Sequence, residues 1–234
     1  MPNNTHFRQS KHVAEMTHIQ SNLGHIRSTL NEGVELVAVS KYHPISAVEE
    51  AYETGQRVFG ESREQELKLK HEALPDDISW HFIGHLQTNK VKAIVPYVAM
   101  IETVDSLRLL KEIEKQAARI DRIIDVLLEL HIASEDSKSG MTIEECTEIL
   151  EGGEWKDMPH IRIRGIMTMA TNTDDEALIR SEFLKAHEYF CLLKNTYFPE
   201  DETFNIRSYG MSGDYMVAQQ CHTTMVRVGS AIFC

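Results

Sequence analysis

The chain has 234 residues, 42% of them hydrophobic and 26% charged, with a formal net charge of −12. That hydrophobic share suits a packed globular protein and excludes a disordered one. The acidic balance argues against nucleic acid and against anionic membrane surfaces, both of which select a basic face. Cys146, Cys191, Cys221 and Cys234 form no CxxC pair and no metal-like spacing, the usage of a reduced cytoplasmic protein. Met1-Pro2-Asn3-Asn4-Thr5-His6 holds no apolar run, so no signal peptide is expected. Apolar stretches elsewhere are too short for a membrane span.

In chain order, a polar lead-in over about residues 8–31 reads as helical. Strands are predicted near 35–40, 57–60, 79–84, 98–102, 123–132, 161–168, 204–209 and 225–228. Helical patterns lie between them, near 44–54, 62–73, 87–95, 105–119, 142–151, 174–196 and 212–221. Pro44 suits a first helical position and Gly55 a C-terminal cap. Asp105 reads as an N-cap before Leu107, Leu109, Leu110 and Ile113, and Thr142 with Glu145 fits a capping box. No linker and no repeat interrupts the series, so residues 1–234 are expected to form one domain. Strands alternating with helices in this number predict an α/β fold, a single (β/α)8 barrel of TIM type. The rival is a doubly wound open sheet, but no Gly-rich dinucleotide fingerprint follows the first strand.

In such a barrel, chemistry gathers on the loops after the strands' C-terminal ends. Leu36-Val37-Ala38-Val39 is an apolar run typical of a buried parallel strand, and it ends in Ser40-Lys41. A lysine kept neutral at a strand end is a nucleophile for an aldehyde or ketone. The plainer alternative is a lysine that snorkels to solvent. On the last two loops, Gly210, Gly213 and Gly229 let backbone approach an anion, while Ser212 and Ser230 add hydroxyls. Ser212 is expected where a helix begins, with free N–H groups aimed at a ligand; plain capping is the alternative. A strand-end lysine opposite two Gly-Ser loops suggests pyridoxal phosphate.

Arg227, on the closing strand, is placed to face the barrel mouth and hydrogen-bond the cofactor's pyridine nitrogen. An arginine does not surrender its proton, so the ring would be a poor electron sink. A rim ion pair with a carboxylate suits Arg227 equally well. Met167 is a candidate to pack against the ring, or plain core filling. His81 reads as a hydrogen-bonded core or wall residue, and both His81 and Ser62 are counted among the candidate cofactor-binding residues. No HxH or HExxH array supports a metal site, and Lys138 is expected in a solvated loop.

Several motifs together resemble the pyridoxal phosphate homeostasis proteins, the YggS/PROSC type. They are Ala38-Val39-Ser40-Lys41, Phe59-Gly60-Glu61, Trp80-His81-Phe82-Ile83-Gly84-His85-Leu86-Gln87-Thr88-Asn89-Lys90, Asp136-Ser137-Lys138-Ser139-Gly140, Arg164-Gly165-Ile166-Met167-Thr168-Met169, Gly210-Met211-Ser212 and Met225 to Phe233. The resemblance implies a fold-type III barrel like the N-terminal domain of alanine racemase, without that enzyme's C-terminal β domain. It implies Lys41 in covalent aldimine linkage with pyridoxal 5′-phosphate, phosphate contacts from Ser212, Gly229 and Ser230, and Arg227 near the ring nitrogen. It implies a non-catalytic carrier that buffers the cofactor and hands it to apo-enzyme clients, and a monomer is expected. Relatives often carry Asn where this chain has Ser62, which bears on any cofactor contact from Ser62. They also continue a few residues past the position of Cys234. An amino-acid racemase of the alanine racemase type is the enzyme alternative. It would need a second acid–base group opposite Lys41. A class I aldolase is a further alternative, set apart by the absence of colour.

Overall fold

The computed structural model describes residues 16–133 and 139–234. Helix α1 (His18–Thr29) opens on a capping box: Thr17 Oγ1 accepts from Gln20 N, and Gln20 Oε1 accepts from Thr17 N. Two otherwise unpaired N–H groups are thereby satisfied, which starts the helix. Its buried residues Ile19, Leu23 and Ile26 recur at helical spacing and form the face turned to the core. Residues 8–15 of the predicted lead-in lie outside the described residues.

Eight strands follow: β1 (Glu35–Val39), β2 (Val58–Glu61), β3 (Ser79–Phe82), β4 (Met100–Val104), β5 (Ile124–Glu129), β6 (Ile161–Met167), β7 (Ile206–Ser208) and β8 (Met225–Val228). They pair in parallel in chain order, and β8 returns to β1 to close the barrel. The crossovers carry α2 (Ile45–Glu53), α3 (Glu64–Ala73), α4 (Val91–Ile94), α5 (Leu107–Ala118), α6 (Ile143–Gly152), α7 (Glu176–Tyr197) and α8 (Tyr215–Gln219), and α9 (Ser230–Phe233) follows β8.

Side chains alternate across a strand, so each strand serves two cores. Outward residues such as Ala38, Phe59, Trp80, Phe82, Ile101, Val126, Ile166 and Val226 join the buried faces of the helices in the main apolar layer. Inward residues Val37, Met100, Leu127, Met167 and Met225 fill the lower barrel as a separate cluster. The interior is packed with side chains, so the barrel is not a pore. At one seam the register between β5 and β6 shifts, bringing Gly165 opposite Leu127. Gly165 has φ +152°, and a Cβ there would lie 1.8 Å from Ile206 O. Only glycine tolerates both conditions.

Element ends differ from the predictions for local reasons. Pro44 is the N-cap of α2, not its first residue, because its ψ of 163° is extended and helical geometry starts at Ile45. Ser106, not Asp105, caps α5: its Oγ accepts from Leu109 N at 3.3 Å. The Thr142–Glu145 capping box is present. The helix predicted over 87–95 is a 3-10 turn, Thr88–Lys90, continued by α4. The helix predicted over 212–221 contracts to α8. Asp214 closes a turn by donating N–H to Met211 O and accepting Met211 N–H on its carboxylate, so helix cannot begin before Tyr215. No helix among the described residues is long and apolar enough to cross a membrane.

Candidate functional site

The alternation that sends Val37 into the barrel sends Val39 and then Lys41 to the inner rim at the C-terminal end of β1. The same count carries Met225 to Arg227 on β8, His81 to Ile83 past β3, and Met167 to Met169 past β6. The upper residue of each pair, Lys41, Arg227, Ile83 and Met169, lines a cavity of about 320 Å³. Its apolar wall is Val39, Ile83, Met169 and Met211. Its polar wall is Lys41, Arg227, Ser212 and Ser230, with Gly213 and Gly229 completing the lining. A pocket of this size, mostly apolar with a few converging polar groups, is typical of a small-molecule site.

Five of the eight predicted site residues therefore come together: Lys41, Ser212, Arg227, Gly229 and Ser230. The other three do not line the cavity. Met167 is 1% exposed and belongs to the barrel core, and Met169, two residues on, takes its place at the cavity. His81 lies one layer lower, bonded through Nδ1 to Glu102 Oε1 at 2.8 Å, and Ile83 takes the wall position. Ser62 instead supports the neighbouring loop: a Cβ at Gly84 would meet its backbone oxygen at 2.6 Å. Lys138 lies outside the described residues.

Two physical expectations also change. Lys41 is exposed at the rim, not buried at the strand end; its placement in the cavity wall singles it out. Ser212 stands ahead of α8, not at its start, so the helix N-terminus does not explain its role. Its Oγ accepts from Gly229 N at 3.2 Å and from Ala231 N at 3.3 Å, tying the loop after β7 to the loop after β8. Gly229 allows a close approach, since a Cβ there would crowd Val39 O at 3.1 Å. A Cβ on Gly213 would meet nothing within 4 Å, which leaves that side of the cavity open.

Arg227 is held from beneath. Nη1 donates to Ser208 O at 2.8 Å and to Ser208 Oγ at 2.7 Å, and Nη2 donates to Thr168 O at 3.0 Å. Glu102 Oε2 accepts from Ser208 Oγ at 2.6 Å and lies 3.8 Å from Nη1. β4 and β7 are not neighbours, so this network runs through the barrel interior. Burial lowers the affinity of the Arg227 guanidinium for its proton, while Glu102 partly offsets that effect. Burial pushes Glu102 up, but the His81 hydrogen bond and charge, Arg227 and Ser208 outweigh it and hold the carboxyl below its ordinary value. These partners were not singled out in the sequence. The one available signal was a glutamate inside a short, mostly apolar strand, Met100-Ile101-Glu102-Thr103-Val104.

Glu129, also buried, goes the other way. Its Oε1 accepts from Ser139 Oγ at 2.5 Å, and its Oε2 has no protein partner among the described residues. Burial raises its pKa above the ordinary 4.5. A carboxyl raised on folding contributes stability fully below its unfolded pKa and loses it as pH rises through the folded value. Glu129→Gln removes that loss. The variant is therefore expected to gain stability relative to wild type as pH rises above the ordinary carboxyl value, read from urea midpoints. A difference that stays constant as pH rises past that value would show that Glu129 is not raised.

Residues 15–234 match the family described as alanine racemase, N-terminal domain. A pyridoxal phosphate homeostasis protein from Vibrio alginolyticus is 36% identical, covering 93% of this chain and 97% of that protein. The Schizosaccharomyces pombe protein of the same name is 34% identical over 93% of both chains. The structure of PipY from Synechococcus elongatus PCC7942 with PLP bound superposes with a TM-score of 0.84 at 32% identity, covering 92% of this chain and all of PipY. An alanine racemase from Clostridium difficile 630 shares the fold, with a TM-score of 0.74 at 16% identity over 92% of this chain and 56% of its own. The chain belongs to the family of pyridoxal phosphate homeostasis proteins, built on the alanine racemase N-terminal domain.

Proposed function

We propose that this protein binds pyridoxal 5′-phosphate and carries it in the cell's handling of that cofactor, with Lys41 forming the covalent C=N link. The observation that carries this reading is the convergence of Lys41, Arg227, Ser212 and Ser230 on one cavity of about 320 Å³. The donor set fits the cofactor. An amine suits its aldehyde, the Ser212 and Ser230 hydroxyls on two tied loops suit its phosphate, and the apolar wall of Val39, Ile83 and Met169 suits its ring. Arg227 has five N–H groups and uses three contacts on Ser208 and Thr168. It keeps donor capacity toward the cavity, where the ring nitrogen would be placed. Bound pyridoxal phosphate supplies an electrophilic aldehyde and a conjugated ring that draws electrons from attached groups.

The protein's own residues favour holding the cofactor over using it. A guanidinium beside the ring nitrogen does not give up its proton, so the ring's electron demand stays weak. The exposed Lys41 and Ser230 at the rim favour exchange with apo-enzyme clients over sequestered turnover. Relatives named for homeostasis support a non-catalytic role, and racemases at 16% identity share only the fold. Four unpaired cysteines suit the cytoplasm, and a monomer is the state proposed.

Borohydride reduction after mixing with pyridoxal phosphate, followed by peptide mass mapping, tests the proposal. The expected result is a single reduced adduct on the peptide that contains Lys41. An adduct on another lysine, or none, rejects it.

A further inference from the structure

A buried lysine lies just outside the barrel, on α3, and does not line the cavity. Lys70 is 4% exposed and Glu61 fully buried. Lys70 Nζ donates to Glu61 Oε1 at 2.6 Å, to the Ser40 carbonyl at 2.8 Å and to Glu66 Oε2 at 3.4 Å. Glu61 Oε1 also accepts from Ser40 Oγ at 2.6 Å, and Glu66 Oε2 accepts from Tyr42 N at 2.8 Å. These contacts fall on the residue before Lys41 and on the residue after it. The Ser40 carbonyl further accepts from His43 N at 3.1 Å, closing a tight turn. Tyr42 sits in that turn at φ +68°, a left-handed conformation that a bulky side chain adopts only when its surroundings impose it.

We infer that Lys70, Glu66 and Glu61 form a positioning cluster that fixes both peptide groups flanking Lys41 and so aims its amine into the cavity. Packing alone does not account for the arrangement. Burying an ammonium and a carboxylate carries a desolvation penalty that a well-packed apolar pair would avoid. Alternation explains the division of labour: Ser40 turns outward to the cluster, Lys41 turns inward to the cavity, and both directions are set by one stretch of backbone. The inference rests on Lys41 as the residue that condenses with the aldehyde. In that step the amine nitrogen forms the C=N bond, and the carbonyl oxygen leaves as water.

The test compares pyridoxal 5′-phosphate with pyridoxine 5′-phosphate, which has an alcohol in place of the aldehyde and cannot form the C=N link. Both are titrated calorimetrically into wild type, Glu66→Ala, Glu66→Gln and Lys70→Met. Glu66→Ala and Lys70→Met are expected to lower pyridoxal phosphate affinity about tenfold, the scale of a misdirected reactive group. Pyridoxine phosphate affinity is expected to stay within about twofold, since its contacts lie on the other loops. Glu66→Gln keeps an oxygen for Tyr42 N–H and should match wild type. Glu66 is only partly buried, so Glu66→Ala decides the matter if Lys70→Met does not fold. Equal losses for both ligands, or an unchanged pyridoxal phosphate affinity in Glu66→Ala, would overturn the positioning role. Wild-type protein that binds pyridoxal phosphate without being trapped at Lys41 would sink the underlying reading instead.

Discussion

Lys41→Ala is expected to abolish the visible absorption and the borohydride-trapped adduct that pyridoxal phosphate confers, while leaving the fold intact. The two halves of this expectation have separate causes. Lys41 is exposed at the rim, and no hydrogen bond or ion pair of the barrel depends on its side chain among the described residues. Surface substitutions of that kind change stability by about 0.5 kcal/mol or less. The covalent link, in contrast, has one proposed nitrogen. Its removal leaves Arg227, Ser212 and Ser230 to hold the cofactor without a covalent bond. Affinity should fall at least about tenfold, or roughly 1.4 kcal/mol. Ultraviolet–visible titration alongside urea denaturation separates the two effects. An undiminished visible band in Lys41→Ala would falsify the assignment. A lost band with a lost fold would contradict the exposure of Lys41.

Glu102→Ala should have the largest effect on stability. Glu102 is fully buried, bonded to His81 Nδ1 at 2.8 Å and to Ser208 Oγ at 2.6 Å, with Arg227 Nη1 at 3.8 Å. Truncation deprives a buried guanidinium of its foremost counter-charge and strips an acceptor from two other side chains. Removing one partner of such a pair destabilises by about 3–5 kcal/mol, or roughly 10 °C in melting temperature for a chain of this size. Because Glu102 is held below its ordinary pKa, its contribution is present above the unfolded value and is lost as pH falls through the folded value. The gap between wild type and Glu102→Ala should accordingly narrow in acid. A loss under about 1 kcal/mol at neutral pH would mean that Arg227 does not depend on this carboxylate.

The outline of the fold was legible because it rests on local signals. Apolar runs such as Leu36–Val39 and capping pairs such as Thr142 and Glu145 are read from neighbours in the chain. Boundaries were less legible where a side chain several residues away decided them, as Asp214 does for α8. The four-residue α9 is too short to display a helical period at all. Within the site, Lys41 and Arg227 were readable as unusual residues at strand ends, and Gly229 and Ser230 as a loop composition. Met167 and His81 fall one layer below the cavity, among the core alternatives their residue types also suit, because the depth of the cavity floor selects the inward residue two positions on, Met169 or Ile83.

By itself, the order of residues determined the repeating strand–helix plan, the inward face of each strand and the reactive groups at the strand ends, since all three follow from short-range periodicity. Only closure of the barrel decided which of those groups share a cavity and which carry one another. Glu102 and Ser208 are 106 residues apart in the chain, yet they join beneath Arg227. Lys70 reaches the Ser40 carbonyl from 30 residues away. Such contacts depend on strand register and on the layer a side chain occupies, which no local pattern encodes.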